Sequence, residues 1–73
     1  MAQQTFTLSS EFIELHNLLK IMSVAASGGE AKNMVANGYV KVDGQMETRK
    51  TRKLYAGALV EVFGEEIRVL AAD

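Results

Sequence analysis

Residues 37–44, with the sequence Asn-Gly-Tyr-Val-Lys-Val-Asp-Gly, constrain the fold more than any other stretch of this chain. Asn37 and Gly38 are typical of a helix end, where a residue in the left-handed conformation is needed. Asp43 and Gly44 favour a two-residue hairpin turn, and the valines before them alternate with polar side chains. The stretch therefore predicts a helix end, a short strand with one face in the core, and a β-hairpin.

The size and composition of the chain restrict it to a few classes. Its 73 residues, 48% apolar and 23% charged with no proline, predict one small globular domain over residues 1–73. The absence of cysteine excludes disulfides, and a single histidine cannot complete a Cys/His zinc site. The apolar stretches are too short to cross a bilayer, and the N-terminus is unlike a signal peptide. We therefore expect a cytoplasmic monomer with no metal, cofactor, membrane or small-molecule substrate.

Sequence periodicity predicts two helices after a first strand. Residues 5–8 alternate as a strand does, and residues 11–22 carry an apolar stripe at helical spacing. Ser27 and Glu30 form a capping box, in which the Ser27 hydroxyl accepts from the Glu30 amide and the Glu30 carboxylate reaches back to the Ser27 amide. A second helix is therefore predicted to begin at Ser27 and to end at Gly38.

The last part of the chain alternates as β-strands do. Residues 59–63 alternate around Glu61, Gly64 marks a tight turn, and residues 67–70 form a last strand. Together these elements predict an α+β domain: two packed helices followed by a small antiparallel, hairpin-rich sheet, with the helices over one face of the sheet.

Charge is distributed unevenly along the chain, although the formal net charge is only −1. Residues 28–53 carry six cations against three acids, whereas the last twenty residues carry one cation against four acids. Four of the eight cations form what we call the basic cluster: Arg49, Lys50, Arg52 and Lys53. Such a concentration of cations indicates an anionic partner, with a nucleic-acid backbone as the first candidate. The alternative is a solvated loop that is kept polar for solubility.

Several motifs occur in a fixed order along the chain. They are Leu-Leu-Lys at residues 18–20, Ser-Gly-Gly-Glu-Ala-Lys at 27–32, the stretch at 37–44, Glu-Thr-Arg-Lys at 47–50, and Gly57 before a Leu-Val-Glu-Val strand. In this order they resemble the S-four RNA-binding domain, also called the alpha-L motif. The chain is most similar to the short, stand-alone bacterial members of that family.

The resemblance covers residues 12–63 and has two departures. Gly28 stands where many members have arginine after the serine, and Ala58 stands where aspartate is common. Loss of that arginine removes one expected RNA contact, so more of the binding is expected to depend on Lys32 and on the basic cluster.

The resemblance implies a non-catalytic protein that binds structured RNA, ribosomal or transfer RNA, mainly through shape and phosphate contacts. The ribosome is then a candidate partner. The binding face would combine the second helix, the first hairpin and the basic cluster. The candidate RNA-binding residues are Ser27, Gly28, Gly29, Lys32, Tyr39, Lys41, Arg49, Lys50, Arg52 and Lys53.

Several of these candidates also have a purely structural interpretation. The amides of Gly28 and Gly29 at a helix start could bind phosphate, or the glycines could only allow a tight entry into a capped helix. Tyr39 could stack on an unpaired base while Lys41 holds the adjacent phosphate, or its ring could pack on the helix end. Lys32 could reach the same phosphate as Lys41.

Two rival functions are an enzyme and a protein-interaction adaptor. His16 is the obvious acid–base candidate, but Glu14 is expected on a different helix face and no catalytic triad can be assembled. An enzyme is therefore not expected. An adaptor would dock a partner on the C-terminal sheet through its acidic residues, Glu61, Glu65 and Glu66. Otherwise these acids are expected to form a solvated sheet edge.

Overall fold

The structure is a computed structural model that describes residues 2–72. The elements within that range are β1 (Ala2–Thr7), β2 (Ile13–Glu14), α1 (Leu15–Ile21), α2 (Gly28–Ala36), β3 (Val40–Val42), β4 (Gln45–Met46), β5 (Lys53–Leu54), β6 (Leu59–Val62) and β7 (Glu65–Leu70). Neither of these helices is long and apolar enough to cross a membrane.

Five strands form the main sheet in the order β1-β7-β6-β3-β4, and β2 pairs with β5 in a separate two-stranded sheet. Each neighbouring pair among β7, β6, β3 and β4 is antiparallel, whereas β1 runs parallel to β7, with Phe6 opposite Val69. The predicted α+β architecture is confirmed, and its sheet is mixed rather than wholly antiparallel. A parallel pair needs a long connection, and here the chain between the two strands supplies it.

One hydrophobic core joins both helices to the main sheet. The predicted helix faces are buried, and so are the inward positions of the strands, with exposed Lys41 between buried Val40 and Val42. The largest fully buried side chains are Leu15, Leu18, Leu19, Leu54, Ile67, Val35, Val40, Val60 and Val69. This core fixes the sheet and the helices relative to one another, so that the polar loops are presented from a packed scaffold.

Helix α1 is shorter than its periodicity predicts, and a start at residue 11 is wrong. Ile13 and Glu14 pair with β5 as a short strand, and the Leu15 amide donates to the Arg52 carbonyl at 2.9 Å. The helix therefore begins at Leu15, because the preceding residues satisfy their hydrogen bonds with a segment far along the chain. Apolar spacing alone does not reveal such a pairing.

Helix α2 has the predicted bounds and one unexpected contact. The Ser27 hydroxyl accepts from the Glu30 amide at 3.2 Å, as expected. The Glu30 carboxylate, however, accepts from the Ala26 amide at 3.1 Å, so the predicted bond to the Ser27 amide is wrong. The helix ends before Gly38, whose φ of 80° provides the predicted left-handed residue.

Two hairpins have turns in which both central residues have positive φ. Asp43 and Gly44 have φ of 53° and 84°, and Phe63 and Gly64 have φ of 50° and 78°. Such turns suit the twist of antiparallel strands and favour Asn, Asp and Gly. Phe63 is therefore unusual at its position. The second turn allows β7 to begin at Glu65, two residues before the predicted start.

Candidate nucleic-acid interface

The basic cluster lies in the connection from β4 to β5 and is tied to the start of α1. The Leu15 amide donates to the Arg52 carbonyl at 2.9 Å, and the His16 amide donates to the Lys50 carbonyl at 3.1 Å. These two amides belong to the first turn of α1, where backbone N–H groups have no partner inside the helix. The helix therefore positions the backbone of the cluster.

A carboxylate that the sequence analysis did not single out, Glu47, holds two of the four cations. It accepts from the Arg49 backbone amide at 2.9 Å, from Arg49 Nε at 3.1 Å and from Arg49 Nη2 at 3.2 Å. Arg52 Nη1 donates at 2.6 Å to Glu47 Oε1, the oxygen that also accepts from Arg49 Nη2. Glu47 is only 7% exposed, and both of its oxygens accept hydrogen bonds, as a buried carboxylate requires.

The hydrogen bonds from Arg49 are the main reason that the pKa of Glu47 falls from 4.5 to about 2. Arg52 lowers this pKa further, whereas burial of the carboxylate opposes the change. The same pairing raises the pKa of Arg49. Glu47 is therefore ionised over the whole neutral range, and both guanidinium groups are held in place.

The cations of the cluster remain accessible despite these contacts. The Arg49 side chain is 72% exposed and the Arg52 side chain 35% exposed. Within residues 2–72, Lys50 and Lys53 form no ion pair. The four cations of the basic cluster and the one negative charge of Glu47 give this loop a net charge of +3, which is accessible to solvent.

Aromatic side chains adjoin the cluster, a feature that sequence reasoning missed. Lys53 Nζ lies 4.9 Å from the centroid of the Phe12 ring, a cation–π distance. The Phe12 ring in turn packs against Tyr55, with centroids 6.0 Å apart, and Tyr55 is 49% exposed. The only sequence signal was the position of Tyr55, two residues after Lys53. Its contact with Phe12 depends on the pairing of β2 with β5.

The start of α2 provides a second group of candidate residues. Ser27 caps the Glu30 amide, and Gly28 and Gly29 are the first two helical residues. A β-carbon at Gly28 would meet nothing within 4 Å, and one at Gly29 would meet only the Ser27 hydroxyl at 3.9 Å. The packing around these two positions therefore leaves room for a side chain and does not require glycine. Lys32 lies on the exposed side of the same helix.

Tyr39 and Lys41 lie in a different environment from the basic cluster. They line a cleft of about 210 Å³ that we call the acidic cleft, because three of its lining residues are glutamates; its main lining residues are Tyr39, Lys41, Glu61, Phe63, Glu65 and Glu66. The cleft shares no lining residue with the clefts around the basic cluster. A shared phosphate for Lys32 and Lys41, and base stacking on Tyr39, remain predictions.

His16 has a closer acidic neighbour than expected. Because Glu14 precedes α1 instead of lying within it, its Oε1 is 3.1 Å from His16 Nε2, and the prediction that the two residues occupy different helix faces is wrong. Between residues 2 and 72, no group of three His, Cys, Asp or Glu side chains is arranged to hold a metal ion.

Comparisons with known proteins identify relatives over almost the whole chain. The family model of the S4 domain matches residues 6–70. The Escherichia coli (strain K12) protein named "Putative RNA-binding protein YbcJ" is 44% identical over 68 residues, which are 92% of this chain and 97% of that protein. The Bacillus subtilis (strain 168) protein named "Probable ribosome maturation protein RlbA" is 38% identical over 58 residues, 80% of this chain and 82% of that protein.

The fold is also similar to that of a solved relative, the solution structure of YbcJ from Escherichia coli, described as having an alpha-L motif involved in RNA-binding. The two structures match with a TM-score of 0.66 and 41% sequence identity, over 97% of this chain and 89% of the other. The family resemblance carried by the sequence motifs is thus confirmed. With a family match from residue 6 to residue 70 and relatives of this similarity, the chain belongs to the S4 domain family.

Proposed function

We propose that this protein is a non-catalytic, cytoplasmic RNA-binding module that recognises structured RNA, ribosomal or transfer RNA. The observation that carries the proposal is the basic cluster, because α1 holds its backbone and Glu47 fixes both of its guanidinium groups. Cations that are already positioned lose less conformational freedom when they bind phosphates. The RNA-binding and ribosome maturation names of the relatives support the same class of ligand.

Phosphate contacts supply most of the affinity in this proposal. The four cations of the cluster, together with Lys32, give five accessible positive groups, and Lys41 would be a sixth. Lys41 has less support than the others, because its neighbours in the acidic cleft are carboxylates that repel phosphate. About 4 to 6 contacts predict a slope of about −3 to −5 when the logarithm of the binding constant is plotted against that of the salt concentration.

Two further features support recognition of folded RNA. The amides at the start of α2, beside Ser27, Gly28 and Gly29, lie at the positive end of the helix dipole and offer a second phosphate site. Tyr55, exposed beside Lys53 and Phe12, provides an aromatic face on which an unpaired base of a loop or bulge can stack. Spaced phosphate sites and a stacking face together favour shaped RNA over a uniform duplex.

The proposal is tested by titrating purified ribosomal RNA and transfer RNA separately at roughly 50 and 200 mM salt. The informative variant is Lys50→Gln/Lys53→Gln, because these lysines do not contact Glu47 and their loss leaves the anchored arginines in place. We expect it to weaken binding by at least about tenfold and to reduce the magnitude of the salt slope by about 2. Lys20→Gln, an exposed change in the last turn of α1, is the matched control and should bind as wild type does.

The outcomes of this titration separate the parts of the proposal. Tight binding to only one of the two RNA classes would identify that class as the ligand. Wild-type binding that is absent, or that does not change with salt, would overturn the RNA-binding function. Equal losses per removed charge in the double lysine variant and in Lys20→Gln would show that net charge, rather than the basic cluster, determines affinity.

A further inference from the structure

Large apolar side chains are exposed together around the acidic cleft. The rings of Tyr39 and Phe63 pack with centroids 5.6 Å apart, and the two residues are 55% and 65% exposed. Met46 is 65% exposed and lies against Gly38, with its sulfur 2.7 Å from the place that a β-carbon on Gly38 would occupy. A contiguous exposed apolar patch with a charged rim is typical of an interaction surface.

The backbone at Phe63 is unfavourable for the residue that it carries. Its φ of 50° belongs to the left-handed region, which a bulky side chain rarely adopts and which Gly, Asn and Asp tolerate. The ring is 65% exposed, so folding gains little apolar burial in return. Stability therefore does not explain a phenylalanine at this turn, whereas a ligand that covers the ring would.

The charges of the cleft are also unfavourable for the isolated protein. Glu61 and Glu66 are directly opposite each other on β6 and β7, an arrangement in which like charges repel. Lys41, opposite Glu61 on β3, offsets one of them. The Gln3 and Gln4 amides donate to Glu66 and Glu65 at 3.0 and 2.7 Å. On this face of the sheet, Lys41, Glu61 and Glu66 carry a net charge of −1, which disfavours a phosphate and favours a cation, whereas Glu65 is opposite buried Val62 and so belongs to the other face.

We propose that the acidic cleft binds an arginine side chain from a basic segment of a partner protein. A guanidinium group stacks on aromatic rings and pairs with carboxylates in a bidentate geometry, so it uses both kinds of side chain that the cleft exposes. The volume of about 210 Å³ offers room for one such side chain. This site is separate from the basic cluster, and the protein would therefore bind RNA and a basic protein on different surfaces.

The test is an NMR titration of the ¹⁵N-labelled full chain with a short peptide of arginines separated by glycines. The same peptide with lysines, and a single-stranded oligouridine, serve as comparisons. We expect the arginine peptide to shift the amide signals of Tyr39, Phe63 and Glu66, and to bind about fivefold more tightly than the lysine peptide. Phe63→Asn should weaken arginine binding by about fivefold or more while the melting temperature stays the same or rises.

The controls make the result decisive. Tyr55→Asn removes an exposed aromatic residue outside the cleft and should leave arginine binding unchanged. Glu61→Gln/Glu66→Gln should abolish arginine binding without unfolding the protein, because it relieves a repulsive pair. The proposal is overturned if the arginine peptide does not shift the cleft signals, if Phe63→Asn binds it as wild type does, or if only the oligouridine shifts them. The last outcome would assign the cleft to RNA.

Discussion

At the scale of single residues, Glu47 links the stability of the fold to the geometry of the proposed RNA-binding loop. In the sequence it is one of nine acids and stands in a polar stretch, where an exposed side chain would be expected. The structure places it at 7% exposure with Arg49 and Arg52 as partners. Its burial depends on the packing of the β4–β5 connection against α1, which local sequence does not determine.

Replacing this acid tests both of its roles. Glu47→Gln keeps the size of the side chain but removes the charge that holds both guanidinium groups. We expect a loss of unfolding free energy of about 1–3 kcal/mol at neutral pH, measured by urea denaturation. RNA affinity should fall although the net charge becomes more positive, because the arginines are no longer fixed. A rise in affinity would indicate that total charge matters more than position.

The lowered pKa of Glu47 also predicts a dependence of stability on pH. Because its folded-state pKa is about 2 and its ordinary value is 4.5, ionised Glu47 contributes its full stabilisation above pH 4.5 and loses it as the pH falls toward 2. The difference in unfolding free energy between wild type and Glu47→Gln should therefore shrink between pH 4.5 and 2. A constant difference across that window would contradict the assignment.

Gly28 is a residue at which the chain departs from the arginine of many family members, and the structure leaves room to restore it. No atom lies within 4 Å of a β-carbon placed there. We expect Gly28→Arg to fold normally, to raise RNA affinity and to make the salt slope steeper by about 1. Thr7→Arg on the exposed edge strand β1 adds the same charge elsewhere and should leave the slope unchanged. Equal effects of the two changes would argue against a phosphate site at the start of α2.

At the scale of elements, local signals sufficed where an element ends in a cap or a turn. The capping serine of α2, its glycine end and the Asp-Gly hairpin were all predicted from adjacent residues, and all are present. The start of α1 was not predictable in this way, because Ile13 pairs with Leu54. The parallel pairing of β1 with β7 joins opposite ends of the chain, and no local pattern encodes it.

The same distinction holds for the candidate site. The basic cluster is contiguous in sequence and was identified from charge alone. The carboxylates around Tyr39 and Lys41 come from two other strands, and the sheet register brings them there. A prediction of base stacking on Tyr39 could not take these acids into account.

The junction of α2 and β3 allows a direct test of one such local signal. Gly38 has φ of 80°, so Gly38→Ala forces a side chain into a left-handed conformation, and the flexible Met46 side chain must also move. We expect a loss of about 1–2 kcal/mol in unfolding free energy. Gly28→Ala, at a position with ordinary φ and open space, is the matched control and should change stability by less than about 0.5 kcal/mol. Similar losses in both variants would refute the conformational explanation.

At the scale of the whole molecule, the near-neutral total charge conceals two surfaces of opposite sign. At about 0.15 M salt the Debye length is about 8 Å, which is shorter than the molecular dimensions of 33 × 23 × 21 Å. At about 0.01 M salt the screening length is about 30 Å and spans the molecule. The acidic cleft therefore repels an RNA at the basic cluster more strongly when salt is low.

This screening predicts how RNA binding responds when the acids are neutralised. Glu61→Gln/Glu65→Gln/Glu66→Gln should raise RNA affinity more at about 10 mM salt than at about 150 mM, because salt screens the long-range repulsion that the change removes. Lys50→Gln/Lys53→Gln should lower affinity at both concentrations, because it removes contacts. Fluorescence anisotropy with one RNA hairpin measures the affinity of each of the two variants at each of the two salt concentrations. If the glutamine variant changed affinity equally at both salt concentrations, the RNA would have to contact the cleft itself, and the two surfaces would form one binding site.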